Sequence, residues 1–547
     1  MGRACEYSGA VHATRKAAAK WTCARTRAHM RALLLALCFL STAPAVAHEL
    51  DGGDWRFDPA TEYRFIAGSM SNFALDPQNA THVDQPWLGE QRLRLSPGLE
   101  IGTTFRLKIE VDVGGPLPWQ ETSAVGTVNP GTQWEKIPRR GASAAAFDPR
   151  MIYIEWKSGL GLFRIGQMGN QWGLGMLAND GEGNALFGQK HFGDLVDRVM
   201  FATAPFLAMT QATWARQTFA GIAGDLVYRD ETADLIAGDV AYQAVLFLLN
   251  RAEEGSEVDH ALGIYAAYRA QQDSPAHDNA RTSVWVLDAY GELKKMAMTK
   301  ALSLDAAFEV AGIVGSTERL ITPSAPAGVG IASLGAVARA GITYEPANTG
   351  LHLELGFASG DADSSESPHR TFTFNPDYHV GLILFDELLA AETAHAADVA
   401  SDPRRSATIP RGLDGIVTDG AVTNALYLRP MLEYRVRQAL KIRLAWLFAF
   451  APAPVIDPYL TFANGGTPTG FRGGLALDNR TYGNEIDLLI ERWFFLGDDH
   501  RIALIPALEL ALAFPGNVFN DGAGNSLPPI GLALFRLTAR LLPAEGH

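Results

Sequence analysis

The residues of this chain that could act chemically are charges set two apart along apolar runs. Arg92, Arg94, Arg106, Lys108, Glu110, Glu155, Lys157, Arg164, Glu354, Arg429, Glu433, Arg435, Lys441, Arg443, Glu485, Asp487 and Glu491 share this setting, as do Asp305 and Glu309. Between them stand residues such as Leu93, Leu95, Leu107, Ile109 and Val111. Mixed charges at this spacing form a water-facing surface, where they hydrate, neutralise one another and, as rings of one sign, select passing ions. The seventeen charges named first are candidate pore-lining residues. Most are expected simply to neutralise a neighbour across the lumen.

Catalysis is not expected. The chain has no G-x-S-x-G elbow, no H-E-x-x-H helix and no Walker-type glycine loop. A Ser-His hydrolase is a minor rival, because triads are recognised by geometry rather than by motif. Asp361-Ala362-Asp363-Ser364-Ser365-Glu366 offers oxygens at alternate positions, as a Ca²⁺ loop does. The glycine and terminal glutamate of an EF-hand are out of register, so a solvated acidic loop is the preferred reading. No cofactor or metal is assigned.

A spacing of two requires strands, since successive strand side chains point to opposite faces. The clearest pair is 92–101 and 105–112, joined at Gly102-Thr103. Alternation recurs at 152–157, 161–167, 283–293, 302–311, 336–344, 351–358, 426–435, 440–450, 483–491, 502–513 and 531–541. Weaker candidates lie at 62–68, 196–204, 207–219, 222–229 and 260–270, which brings the count to 18, an even number as bacterial single-chain barrels have. Asp239–Asn250, with Ala244 to Leu249 apolar throughout, reads equally as helix or strand and is placed in a periplasmic excursion.

The connections divide by length. Long ones fall at 114–150, 169–195, 313–331, 359–424, 451–480 and 514–528, and short ones near 102, 158–159, 294–299, 345–349 and 436–438. If the first strand runs outward, every long connection is extracellular and every short one periplasmic, as in outer-membrane barrels. Residues 359–424 are the candidate constriction or surface loop, since a connection of that length is usually functional or disordered. The Ala/Asp-rich stretch 390–402 keeps disorder in view.

Residues 1–47 have the form of a cleavable signal peptide: apolar Ala32–Leu40 after Arg31, then Ala45-Val46-Ala47 before His48. Residues 1–29 are suspected to precede the true start at Met30. Cys5, Cys23 and Cys38 all lie in this leader, so the mature chain from 48 to 547 is expected to hold neither disulfide nor thiolate chemistry. Its removal leaves 39 basic residues (46 minus 7) against 59 acidic ones (60 minus 1), a formal charge of −20. That balance speaks against nucleic acid. No apolar run reaches the length of a membrane helix. Alternation starting near Tyr63 leaves no room for an N-terminal plug domain, and one domain is expected.

Trp156, Trp214, Trp285, Trp446 and Trp493 sit in or beside the expected strands and could form interfacial girdles. Gly356-Phe357-Ala358-Ser359-Gly360-Asp361, the run Thr371 to Pro376, Gly483-Asn484-Glu485-Ile486-Asp487 and Phe514-Pro515-Gly516 resemble passages of alginate-export-type outer-membrane barrels. Trp172-Gly173-Leu174-Gly175-Met176-Leu177-Ala178-Asn179-Asp180-Gly181, Gly193 to Val199 and Asp377 to Phe385 resemble a functionally uncharacterised family of large bacterial outer-membrane proteins. Either resemblance implies a barrel. The first implies a strongly basic lumen for a polyuronate, from which the mixed charges here depart.

The expectation is therefore an all-β protein, a single antiparallel transmembrane barrel that passes a small polar solute or an extended polymer. A closed surface-binding or structural barrel is the main alternative, and a soluble periplasmic β-protein is a third. Outer-membrane lipid and a small solute or polysaccharide are the expected partners.

Overall fold

The computed structural model describes residues 55–542 apart from 78–80, 84–87, 117–146, 184, 189–192, 254–255, 257, 323, 364–365, 406–413, 437–438 and 498–500. The leader and its cysteines lie outside the described residues. Eighteen antiparallel strands form the barrel among the described residues, and Phe73–Ala74 and His82–Val83 pair as a small separate hairpin between the first two. The barrel strands are β1 (Trp55–Asp58, resuming as Thr61–Met70), β2 (Leu88–Leu95, resuming as Gly98–Ile101), β3 (Phe105–Pro116), β4 (Asp148–Ser158), β5 (Gly161–Gly169) and β6 (Leu195–Thr203). β7 (Thr218–Arg229), β8 (Val240–Arg251), β9 (Asp259–Gln272), β10 (Arg281–Ala297), β11 (Leu302–Thr317) and β12 (Val329–Tyr344) follow. The last six are β13 (Thr349–Ala358), β14 (Ala425–Val436), β15 (Leu440–Phe450), β16 (Thr481–Arg492, resuming as Phe494–Leu496), β17 (Ile502–Pro515) and β18 (Ile530–Leu541).

Each strand pairs with the next, and β18 returns to β1 through Thr61↔Leu541 to Met70↔Leu532, so no edge is left open. The breaks in β1 and β2 fall side by side, at Pro59-Ala60 and Ser96-Pro97, because proline cannot donate to the ladder. The Ser96 N–H spans the gap to the Ala60 carbonyl at 2.8 Å.

The outward face is apolar. Leu246, Ile264, Leu287, Val310 and Leu334 on five consecutive strands are all exposed. A continuous exposed belt of this kind is stable in lipid and not in water. Trp156 and Trp285 stand on this face toward opposite ends of their strands, Trp446 also lies on it, and Trp214 is exposed on a short helix at 213–217. No described helix is long and apolar enough to cross a membrane.

The ends of the barrel differ as expected. All six long connections leave one end, and the five short ones leave the other. Two expected elements are corrected. Residues 207–219 do not form a strand: a 3-10 turn at Pro205–Ala208 and helix α1 (Thr213–Gln217) precede β7, which begins at Thr218. The segment Asp239–Asn250 is no excursion but β8, paired with β7 and β9 along its length. Its polarity does not alternate because its inward residues meet protein rather than water: the Phe247 ring lies 6.2 Å from Trp172, a residue of an inserted loop. One strand lost and one gained leave the count at 18.

Candidate functional site

The lumen is narrowed by two loops from the outer end: loop 3 (residues 170–194, between β5 and β6) and loop 7 (residues 359–424, between β13 and β14). Loop 7 enters through Phe372, Phe374 and Tyr378, whose rings pack edge to face in sequence. It continues through Leu382, Ile383, Leu384 and Phe385, all without solvent exposure. A π-helical turn (Leu384–Leu389) then leads into helix α2 (Ala390–Ser401). The Ala-rich stretch weighed above as disordered is this helix. Alanine favours helix and its small side chain allows close packing, and Ala390, Ala391, Ala394, Ala396, Ala397 and Ala400 are buried.

Loop 3 turns at Trp172–Leu177, where Gly173 takes φ +54° and Gly175 φ +81°, left-handed conformations that suit glycine. A Cβ at Gly173 would fall 2.6 Å from a carboxylate oxygen of Glu309. The two loops are tied together. Asn375 donates its backbone N–H to the Met176 carbonyl at 2.7 Å and its side-chain amide to Asp194 at 2.9 Å, while the Gly193 N–H donates to Asp377 at 2.6 Å.

Three wall carboxylates hold these loops by accepting backbone N–H groups. Glu485 on β16 accepts from Leu382, from Ile383 at 2.8 Å and from Leu384 at 2.7 Å, at the start of the helical segment of loop 7, where donors are free and the helix dipole favours an anion. Glu309 on β11 accepts from Leu174 and from Met176 at 3.4 Å. Glu509 on β17 accepts from Gly188 at 2.6 Å. Bonds to ionised acceptors are the strong class.

The seventeen expected pore-lining charges all lie on the inward parity, but they do not form one lining. Glu354, Arg429, Glu433, Arg435 and Arg443 come together around an inner cavity of about 450 Å³, near the short turns, with Arg339 and Leu174. Arg92 and Arg94 belong to an ionic belt on β1 to β3. Arg92 meets Glu62 at 3.3 Å, and Arg94 grips Asp112 through two bonds of 2.7 and 2.8 Å. Glu110 pairs with the buried Arg150 at 2.9 Å. Lys108 stands 3.9 Å from Glu110, and Arg106 lies 3.4 Å from Glu100. Glu155 and Arg164 pair across β4 and β5 at 2.7 Å, while Lys157 is exposed near the turn. Lys441 pairs with Glu491 at 2.8 Å. Glu485 and Asp487 are sealed behind loop 7 with no exposure.

A second cavity, of about 390 Å³, opens toward the outer end. Tyr265, Val284, Val286 and Ile313 of the wall line it, with Leu177 of loop 3 and Thr371 and Thr373 of loop 7. Leu174 borders the inner cavity and Leu177 the outer one, so the loop 3 tip stands between them. Residues to which the sequence reading gave no site role are central here: Trp172 and Tyr378, which it named only within motifs of the resemblance, and Asp288, Arg339 and the buried Arg150. Asp288 and Arg339 were legible as inward charges on the expected strands 283–293 and 336–344; the roles of the others needed the folded loops and walls. Of the loop residues 361–366, 364 and 365 lie outside the described residues; Asp361 accepts from the Asp363 and Arg370 N–H groups and meets His369 at 3.3 Å.

Loop 8 (residues 451–480) carries a pH-sensitive cap. Asp457 caps helix α3 (Pro458–Ala463) by accepting the Leu460 N–H at 2.8 Å, and burial pushes its carboxyl up to about 6 despite that bond. A raised folded-state value means stability present below the ordinary carboxylate value is lost as pH rises toward 6, by roughly 2 to 3 kcal/mol. Hydrogen exchange of the Leu460 amide should be slower at acid than at neutral pH after correction for intrinsic rates. Asp457→Asn, which keeps the cap, should abolish the difference.

The structure is thus a closed transmembrane barrel with a lumen constricted by its own loops. No family model and no curated protein matches the chain, so its resemblance to alginate-export-type barrels in particular receives no support. Among solved structures it is similar to the Pseudomonas aeruginosa protein OccK11 (OpdR), with 9% identity, a TM-score of 0.44 and coverage of 89% of this chain and 96% of that one. It is also similar to Pseudomonas aeruginosa OpdK, solved with vanillate, with 12% identity, a TM-score of 0.45 and coverage of 88% and 98%. Acinetobacter baumannii OccAB1 matches with 10% identity, a TM-score of 0.44 and coverage of 89% and 97%. At these values the likeness bears on neither substrate nor mechanism.

Proposed function

We propose that the chain is an exported outer-membrane channel through which small polar solutes pass by diffusion. The observation that carries this reading is the presence of two cavities in the lumen, a charged inner one and an outer one of mixed lining, with the loop 3 tip bordering both. A solid structural barrel has no use for a vestibule at each end. An extended polymer fits less well, because both inserted loops stand in its path. Passage would depend on Arg339, Arg429, Arg435 and Arg443 facing Glu292, Asp305, Glu354 and Glu433 in the inner cavity. This near balance of sign predicts weak ion selectivity.

The second reading, a closed surface-binding barrel, is favoured by the apolar cluster that loop 7 builds inside the lumen. Planar-bilayer recording of the chain from His48 onward separates the two. Discrete current steps with a reversal potential near zero in a salt gradient are expected. Well-inserted, heat-modifiable protein that gives no steps would sink the channel reading.

A further inference from the structure

The inward face of β8 to β12 changes character where it lines the outer cavity. Strand register sets Ala267, Val286, Ile313 and Ser333 in one row across β9 to β12. The next row toward the outer end runs from Gln243 on β8 through Arg269, Val284 and Gly315 to Ile331. Ala267, Val284, Val286, Ile313 and Ile331 thus make a continuous apolar panel, and all five border the cavity. A water-filled barrel keeps this face polar. An apolar panel here leaves aliphatic surface toward whatever enters from the outer mouth.

The charged groups around this cavity are already engaged. Arg269 is held by Asp230 at 3.2 Å and by Gln271 at 2.9 Å. Arg319 lies 3.3 Å from Asp273 and donates to the Thr232 carbonyl at 3.0 Å. Asp194 accepts the Asn375 amide at 2.9 Å, His369 lies 3.3 Å from Asp361, and Glu231 also has a partner. What is left over is neutral. Gln243 Oε1 is buried without a hydrogen-bond partner among the described residues. The hydroxyls of Tyr265, Ser333 and Thr371, which also line the cavity, make no hydrogen bond among them either. A buried polar atom in a native protein ordinarily has a partner. The orphaned amide at the edge of an apolar panel therefore marks the place for a polar group that a ligand brings.

We propose that the outer cavity binds an uncharged solute with a flat apolar body and a hydroxyl or amide group, of the phenol or aromatic-amide class, its ring on the panel of Val284, Val286 and Ile313 and its polar group on Gln243. A charged solute would have to break one of the pairs above or lie unpaired against valine, at a high cost in desolvation. A sugar, with hydroxyls all round, would set some of them against the panel. The volume of about 390 Å³ lies within the range of small-molecule sites. As a step in passage the proposal rests on the channel reading above; as a binding site it does not.

Calorimetric titration of 4-hydroxybenzamide into the chain from His48 onward tests this in lipid nanodiscs, with protein-free discs as the blank. One molecule per barrel is expected to bind. 4-Hydroxybenzoate, of nearly the same shape but charged, should bind roughly tenfold more weakly or worse, since its charge finds no free partner. Gln243→Leu should weaken the amide about tenfold, the loss of one neutral hydrogen bond. Val286→Phe, whose added ring covers the panel, should abolish binding. Heat-modifiable mobility on gels shows that each variant is folded. In planar bilayers, 4-hydroxybenzamide on the outer side should cause brief current blockades in the wild type and none in V286F. No binding to the folded wild type, equal binding of amide and carboxylate, or binding untouched by both substitutions overturns the proposal. Specific binding without any current from the inserted wild type supports the site and overturns the channel reading.

Discussion

Glu485→Ala is expected to raise the conductance of the barrel several-fold, and removal of residues 377–401 to raise it on the order of tenfold, toward the open lumen that a barrel of this strand number leaves when nothing occupies it. Glu485 is the only wall group among the described residues that receives three consecutive loop N–H groups, from Leu382, Ile383 and Leu384. Its truncation leaves those donors buried without an acceptor, at about 1 to 3 kcal/mol each. Water can reach them only if loop 7 lifts. The apolar cluster of Phe385 against Tyr482, ring centroids 5.5 Å apart, resists that movement. The substitution should therefore produce a fluctuating, partly open state, and the deletion a steady wide one. Glu485→Gln keeps one acceptor oxygen and should fall between wild type and alanine. Equal conductance in all four proteins would mean that loop 7 is not the constriction.

The wall of this barrel was legible in the sequence and its contents were not. Alternation exposes a strand when one face meets lipid and the other meets water, as at Arg92 to Asp112, and there parity placed every expected charge inward. β8 escaped because its inward Val245 and Phe247 meet protein, so both faces are apolar. The stretch 207–217 misled in the opposite sense, since a few alternating residues in a turn imitate half a strand. Loop 7 was marked by length alone. Its insertion depends on partners about a hundred residues away, such as Glu485 for Leu382 to Leu384, and no local period encodes such a pairing. The same holds for Glu309 and the loop 3 tip. Its inward position could be read, but its role required knowing which backbone would come to it.

Arg429→Met is expected to destabilise the barrel by about 3 to 5 kcal/mol, the cost of stripping one partner from a buried charge pair. Arg429 is 1% exposed and its partner Glu354 is 4% exposed. Glu354 accepts from Arg429 at 3.0 Å, from Arg339 at 2.7 Å and from the Tyr427 hydroxyl at 2.7 Å. The loss should lie toward the lower end, since Arg339 and Tyr427 remain. Adding Glu354→Gln, which removes the stranded charge, should recover part of the loss in a double-mutant cycle read by denaturant midpoints in detergent. By contrast, breaking the exposed pair Arg216–Glu253 should change stability by less than about 1 kcal/mol. If Arg429→Met instead leaves stability unchanged and alters only ion selectivity, its charge serves the passing solute. The geometry argues for the former. Arg429 spends its donors on Glu354 and, at 3.5 Å, on the His379 carbonyl of loop 7, and Arg443 is likewise held by Glu433 and the Leu186 carbonyl of loop 3. Inward charge in this barrel first secures the loops that narrow it, so solute selectivity must come from the groups such pairing leaves facing the two cavities.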